Sequence, residues 1–142
     1  MGPELLLIIV AAAGVLACSY AFFNYFSVKK LEEGTEKMSD IAGSIRIGAD
    51  AFIKYELKVV GIICAVIAVV LGVIISSQTM IAFVIGGFMS AAAGWVGLKI
   101  ATYANVRVTN KARETGDPGK TLKVALQGGS VMGLCVAGFA LI

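Results

Sequence analysis

All twelve lysine and arginine residues of this 142-residue chain lie in or beside two polar segments that separate long apolar runs. No basic residue occurs before Lys29, and none occurs between Lys58 and Lys99. Apolar runs of about 20 residues cross a bilayer as α-helices, and cytoplasmic loops carry the excess of Lys and Arg. The pattern therefore predicts a membrane protein whose two basic segments face the cytoplasm.

The apolar runs predict an all-α, polytopic membrane fold with four transmembrane helices and the N-terminus outside. Val, Ile and Leu make up most of the second run, a composition that would favour a strand in water. In lipid a lone strand would leave its backbone groups unpaired, so we expect a helix. The predicted spans are residues 5–26, 59–75, 79–100 and 124–142.

The two ends of the chain also bear on its organisation. A cleaved signal sequence would begin with a basic segment, whereas this chain begins with Met1, Gly2, Pro3 and Glu4. We therefore expect an uncleaved first span. The sequence stops at Ile142 within an apolar run. We expect it to be part of a longer chain.

The polar segments, residues 29–58 and 101–123, are predicted cytoplasmic loops. Apolar residues in the first recur every three or four positions, which predicts an amphipathic helix running towards the second span. This helix would lie on the membrane, pack against a cytoplasmic domain, or simply connect two spans in solvent. Residues 115–119 (TGDPG) should break any helix in the second segment. The apolar positions are Met38, Ile41, Ala42, Ile45, Ala49, Phe52 and Ile53.

Small residues recur at four-residue spacing in the third and fourth runs. Such residues let helix backbones approach closely inside a membrane, where lipid offers no hydrophobic force between helices. We expect them to form tight helix contacts, so that Gly94→Leu would disrupt packing of the third helix against its neighbours. The residues are Gly86, Ser90 and Gly94; Ala93 and Gly97; and Gly129, Gly133 and Ala137.

The residue types exclude several kinds of site. The chain has no histidine, and Cys18, Cys64 and Cys135 each stand alone in an apolar run. This argues against zinc, haem and disulfide frameworks and favours packing roles. No acid lies inside a predicted span, which argues against a rotary-ATPase proteolipid. The net charge of +3 is confined to loops, so no nucleic-acid surface is expected.

The acids also offer no active site. The four that come close together alternate with lysines, which is typical of a solvated charged face. We therefore predict no catalytic, cofactor-binding or metal-binding residue in this chain. These four acids are Glu32, Glu33, Glu36 and Asp40.

Several stretches resemble one family. Residues 33–38 (EGTEKM) and 45–56 (IRIGADAFIKYE) are similar to the first cytoplasmic loop of membrane-integral, ion-pumping inorganic pyrophosphatases. The most specific resemblance is that of residues 97–107 (GLKIATYANVR) to the inner end of that family's third helix. Residues 128–134 (GGSVMGL) resemble the start of its fourth helix. Ile47 and Gln127 depart from the acid and the arginine that are common at these positions.

The resemblance covers essentially the whole chain and implies a function for a longer protein. Members of the family hydrolyse magnesium pyrophosphate at the cytoplasmic side and move protons or sodium ions outward, as homodimers of many-helix bundles. Their D-x-x-x-D-type hydrolytic motifs lie further along the chain. Residues 1–142 would then be the N-terminal transmembrane part of one larger domain, a scaffold that lies in the cell membrane if the source is a prokaryote. Mg²⁺ would serve the full-length enzyme, and the need for K⁺ stays open.

Two other functions fit the residues less well. The chain is interpretable as a small non-enzymatic membrane accessory or assembly protein that docks a partner through its small residues. A small channel lined by Ser90, Thr102 and Gln127 is the weakest alternative, since no span has a continuous polar face.

Overall fold

The computed structural model describes residues 2–142, which form four helices joined by short turns. Each helix is long and apolar enough to cross a membrane. The all-α, four-span prediction is therefore confirmed, and every predicted span lies within one helix to within a residue. The helices are α1 (Pro3–Lys29), α2 (Glu36–Ile74), α3 (Ser77–Thr115) and α4 (Pro118–Leu141).

The two segments predicted as cytoplasmic loops, residues 29–58 and 101–123, are helical for most of their length. Helices α2 and α3 have 39 residues each. At a rise of 1.5 Å per residue each is about 58 Å long, against about 30 Å for a hydrocarbon core. The amphipathic helix expected in residues 29–58 is confirmed, and it is continuous with the second span. A continuous α-helix cannot turn flat onto the bilayer surface, so that alternative is excluded.

Local capping explains where these helices begin and end. The Thr35 hydroxyl accepts a hydrogen bond from the Met38 backbone N–H and starts α2. Gly116, with φ of 59°, ends α3 in the left-handed conformation that glycine adopts without strain. The Asp117 carboxylate accepts from the backbone N–H groups of Gly119 and Lys120 and starts α4, with Pro118 in its first turn. The predicted break at residues 115–119 is confirmed.

The helices pack in a defined order. Helix α4 packs against both α1 and α3, while α2 packs along the side of α3. The side chains of Val28, Ile100 and Val131 are fully buried where α1, α3 and α4 meet. Much of the remaining apolar surface is exposed, as expected for helices that face lipid or further helices.

Glycines set the closest contacts, but mostly not those predicted. A Cβ added to Gly97 would lie 2.6 Å from Met132 Cγ, and one added to Gly128 would lie 2.7 Å from Ala104 Cβ. Gly138 packs in the same way against Cys18 of α1. The stripe positions Gly86, Gly94, Gly129 and Gly133 have no atom within 4 Å of an added Cβ. The expectation that Gly94 forms a tight contact is therefore wrong within residues 2–142, whereas the predicted Gly97 contact is confirmed.

Candidate functional site

The polar segments of all four helices meet at one end of the bundle, which we call the basic end. Lys29 is the last residue of α1. Arg46 and Asp50 lie in the first half of α2. Lys99 and Arg107 lie in the second half of α3. The predicted topology, which places both polar segments on one side of the membrane, requires this arrangement. The opposite end carries the start of α1 and the turn between α2 and α3.

Arg107 is the best-buried charged residue of the basic end. Its side chain is 6% exposed. The guanidinium donates to the backbone carbonyls of Lys29 (3.0 Å), Leu31 (2.9 Å) and Tyr103 (2.8 Å). Two of these carbonyls belong to the C-terminal end of α1 and the turn after it. A cation here satisfies unpaired carbonyls and interacts favourably with the helix dipole.

Glu33 completes this contact from the turn between α1 and α2. Its carboxylate forms ion pairs with Arg46 of α2 and with Arg107 of α3, and it accepts from the Ser39 hydroxyl. Burial alone would raise the pKa of Glu33. The hydrogen bond and charge of Arg46, followed by Arg107 and Ser39, outweigh burial, so the pKa lies below its ordinary value of 4.5. Glu33 thus stays ionised and joins three segments of the chain.

The ring of Tyr103 lies between three cations. The guanidinium carbon of Arg46 is 4.5 Å from the ring centroid, that of Arg107 is 5.5 Å away, and Lys29 Nζ is 5.2 Å away. The face of an aromatic ring attracts cations through its quadrupole. Tyr103 and Glu33 together hold positive groups from α1, α2 and α3 in one cluster.

A second set of contacts fixes the turn after α1. The Asn110 amide donates to the Glu32 backbone carbonyl and to the Glu114 carboxylate, and its oxygen accepts from Arg113. Gly34 has φ of 95°, and a Cβ added there would lie 2.6 Å from Asn110 Oδ1. Only glycine allows the turn to approach α3 this closely.

Two further polar pairs join the helices nearer the membrane. Lys99 of α3 forms an ion pair with Asp50 of α2. Asn24 of α1 is 2% exposed and donates to the Ser130 hydroxyl of α4 at 2.9 Å. Side-chain hydrogen bonds of this kind hold membrane helices together.

The basic end is suited to holding helices in place, and the carboxylates of Glu33, Asp50 and Glu114 are engaged by the chain's own groups. In residues 2–142 no three of the Asp, Glu and Cys side chains lie together as metal ligands would. The absence of catalytic, cofactor and metal residues stays a prediction. The three residues proposed to line a channel are not brought together. Ser90 and Gln127 line separate surface cavities, and the Thr102 hydroxyl donates to the Lys99 carbonyl.

Sequence reasoning missed the cluster itself. It placed Glu33 on a solvated charged face, but Glu33 is ion-paired and mostly buried, whereas Glu32, Glu36 and Asp40 are exposed. Arg107 lies in residues 97–107, the stretch with the most specific family resemblance. This resemblance was the one sequence signal that Arg107 has a particular role. Nothing in the sequence indicated that Arg107 would meet Glu33.

Comparison with known proteins shows which family the chain belongs to. Residues 15–142 match the family model of the inorganic H⁺ pyrophosphatases. The chain is 49% identical over 128 residues to a K⁺-stimulated pyrophosphate-energized sodium pump of Thermotoga maritima. It is 34% identical over 141 residues to a K⁺-insensitive pyrophosphate-energized proton pump of Methanosarcina mazei. These matches cover 90% and 98% of this chain but 18% and 21% of the relatives.

The chain thus spans about a fifth of the length of the curated relatives it matches. The resemblance in residues 33–56, 97–107 and 128–134 agrees with the family model, which includes all of these stretches. The chain is a multi-pass membrane protein and belongs to the inorganic H⁺ pyrophosphatase family.

Proposed function

We propose that residues 1–142 are the N-terminal helical scaffold of a longer pump, which couples hydrolysis of magnesium pyrophosphate to outward transport of protons or sodium ions. The observation that carries this proposal is the family match over residues 15–142, together with relatives about five times as long that are named as pyrophosphate-energized pumps. The chain itself acts as anchor and orientation device.

The basic end supports the scaffold role. Arg107 and Glu33 fix the turn between α1 and α2 against α3 through buried, charge-assisted contacts. Because α2 and α3 extend well beyond the membrane, these contacts hold the two extensions at a defined separation. A pump that moves ions between its helices needs such a fixed frame around the moving parts.

The orientation follows from the charges. We place the basic end in the cytoplasm, since Lys and Arg are retained on that side, and the turn at Ser76 outside. The N-terminus is then outside as well. In this orientation the extensions of α2 and α3 lie on the side where the family's hydrolytic motifs are expected.

No three of the Asp, Glu and Cys side chains of residues 2–142 lie together as the ligands of a magnesium ion would. Glu33 is paired with two arginines, Asp50 with Lys99, and Asp117 with backbone N–H groups. A Mg²⁺ site needs carboxylate oxygens free to coordinate the ion. We assign Mg²⁺, and K⁺ if it is required, to other parts of the longer protein, which we expect to be a homodimer.

The experiment is expression of the longest open reading frame that contains these residues, in membrane vesicles from a host without such a pump. We expect pyrophosphate to drive sodium or proton uptake into inside-out vesicles, and residues 1–142 alone to hydrolyse no pyrophosphate. Uptake is followed in parallel with ²²Na⁺ and a pH-sensitive dye, which also identifies the ion.

Two results would contradict the proposal. One is a reading frame that ends at codon 142. The other is a native membrane complex in which the 14.7-kDa chain is bound to an unrelated protein. Either would favour the accessory protein instead.

A further inference from the structure

The half of α2 outside the membrane has an apolar stripe that nothing in residues 2–142 covers. Residues 36–57 carry charges of both signs, so this half of α2 lies outside the hydrocarbon core. Ile45 is 49% exposed, Phe52 57% and Tyr55 72%. We call this stripe the α2 seam; its members are Ile41, Ile45, Gly48, Phe52 and Tyr55.

The spacing of the α2 seam is that of a helix-packing surface. Its members are four, three, four and three residues apart, which is the repeat that places side chains in the contact line of two packed helices. An added Cβ at Gly48 would have no atom within 4 Å, so the centre of the seam is open to another backbone. The residues of α2 that pack against α3, Ala42 and Ile53, lie on a different face.

A third face of α2 is polar and suits water. Asp40, Lys54 and Lys58 lie on it, and Ile47 is its one large apolar residue before the membrane. The contrast between the two exposed faces shows that the α2 seam is not simply the solvent side of the helix. Apolar surface of this extent outside a membrane is unfavourable unless it is covered.

The α2 seam continues into the membrane in the same phase. Val59, Ile63 and Val66 follow Tyr55 at intervals of four, four and three residues, and all are exposed. Lipid can cover the membrane half but not the aqueous half. A single helix that crosses the membrane beside α2 and continues beyond it would cover both.

We infer that the α2 seam is the docking site of another transmembrane helix of the longer protein, one that also extends beyond the membrane and carries its own apolar stripe. This inference rests on the proposed function, because the curated relatives contain about four-fifths of their length outside the matched region. The occupant is thus a helix of the same polypeptide.

Cysteine accessibility in the full-length protein tests this inference. Cys18, Cys64 and Cys135 are first replaced, together with any cysteines elsewhere in the protein. Ile45→Cys probes the seam, and Ile47→Cys, two residues away on the polar face, is the matched control. Phe52→Cys and Ala51→Cys form a second pair, in case one seam variant fails to fold. Vesicles open to the basic end are treated with a polyethylene-glycol maleimide, before and after denaturation in SDS.

We expect the seam variants to react at least ten-fold more slowly than their controls in the native membrane and equally fast in SDS. If the seam and control cysteines react at equal rates in native membranes that pump with pyrophosphate, the docking site is refuted. The proposed function would not be affected by that result. Disulfide-linked dimers of the Ile45→Cys variant on mild oxidation would also overturn it, because the occupant would then be a second copy. A parent protein that does not respond to pyrophosphate would overturn the proposed function, while the rate ratio still decides the seam.

Discussion

Arg107 Nη2 lies 3.0 Å from the carboxylate of Glu33, and this ion pair joins the second half of α3 to the turn between α1 and α2. The same guanidinium binds two backbone carbonyls of that turn region. The Arg107 side chain therefore links α3 to α1 and to the turn before α2, and its removal should weaken the packing of the basic end.

Arg107→Met should strongly destabilise the protein. It would leave Glu33 without one of its two arginines and would remove the donor to the Lys29 and Leu31 backbone carbonyls. Loss of one partner of a buried ion pair costs about 3–5 kcal/mol. Lys111→Met, which removes a more exposed pair with Glu114, is the control and should cost less than about 1 kcal/mol. Thermal unfolding of the full-length protein in detergent measures both, and equal losses would contradict the prediction.

Glu33 should make stability depend on pH in the acid range. Its pKa is lower in the folded state than the ordinary 4.5, because the arginine contacts outweigh burial. The stabilisation is then complete well above pH 4.5 and is lost as pH falls through the folded pKa. We expect wild type to be more stable than Glu33→Gln at pH 7 and the difference to vanish in acid. Unfolding midpoints from pH 7 down to pH 3 test this, with the exposed Glu32→Gln as control. A gap that does not narrow between pH 7 and pH 3 would refute the assignment.

Gly128 and Gly129 offer a matched pair for helix packing. Gly128→Ala would place a Cβ 2.7 Å from Ala104 Cβ, which belongs to a short side chain that cannot move aside. We expect a loss of about 1–3 kcal/mol as α3 and α4 separate. Gly129→Ala meets no atom within 4 Å, so its higher helix propensity should leave stability unchanged or slightly raised. Unfolding in SDS of both variants is the measurement. A neutral Gly128→Ala would show that the helices are not in close contact.

The Asn24–Ser130 hydrogen bond should contribute to the contact of α1 with α4. A double-mutant cycle with Asn24→Ala and Ser130→Ala isolates its energy from the other effects of each change. We expect a coupling of about 0.6 kcal/mol and at most about 1.7 kcal/mol, as for hydrogen bonds between other membrane helices. Strictly additive single-mutant effects would mean that the two side chains do not interact.

The orientation of the bundle is testable with an impermeant thiol reagent. Ser77 lies exposed at the end opposite the basic one, and Lys37 lies exposed at the basic end. In intact cells we expect Ser77→Cys to be labelled and Lys37→Cys to be protected until the cells are opened. The reverse pattern would invert the topology and move the extensions of α2 and α3 outside.

The family could be assigned from sequence because its characteristic stretches are local. Residues 97–107 lie within a single helix, so their resemblance survives without any knowledge of packing. The limits of α2 and α3 could not be assigned so well. Hydrophobicity marks only the part of a helix inside the membrane, whereas capping by Thr35 and Gly116 decides where these helices begin and end.

The contact sites were harder to predict than the helices. Gly94 and Gly128 are equally small, and only the rotation of each helix decides which of them meets a neighbour. From sequence, Glu33 could not be distinguished from its exposed neighbours, because the charge pattern alone does not show which cations lie beside a carboxylate in the folded protein.

The sequence by itself determined four apolar helices, the side on which their basic connections gather and the break at residues 115–119. These features depend on transfer of each segment into lipid and on local backbone preferences, both of which are set by neighbouring residues. Only the tertiary structure decided that Arg107 meets Glu33, that Gly128 meets Ala104 and that no part of residues 2–142 covers the α2 seam. Those relationships join residues far apart in the chain, and they depend on how the helices rotate and pack against one another.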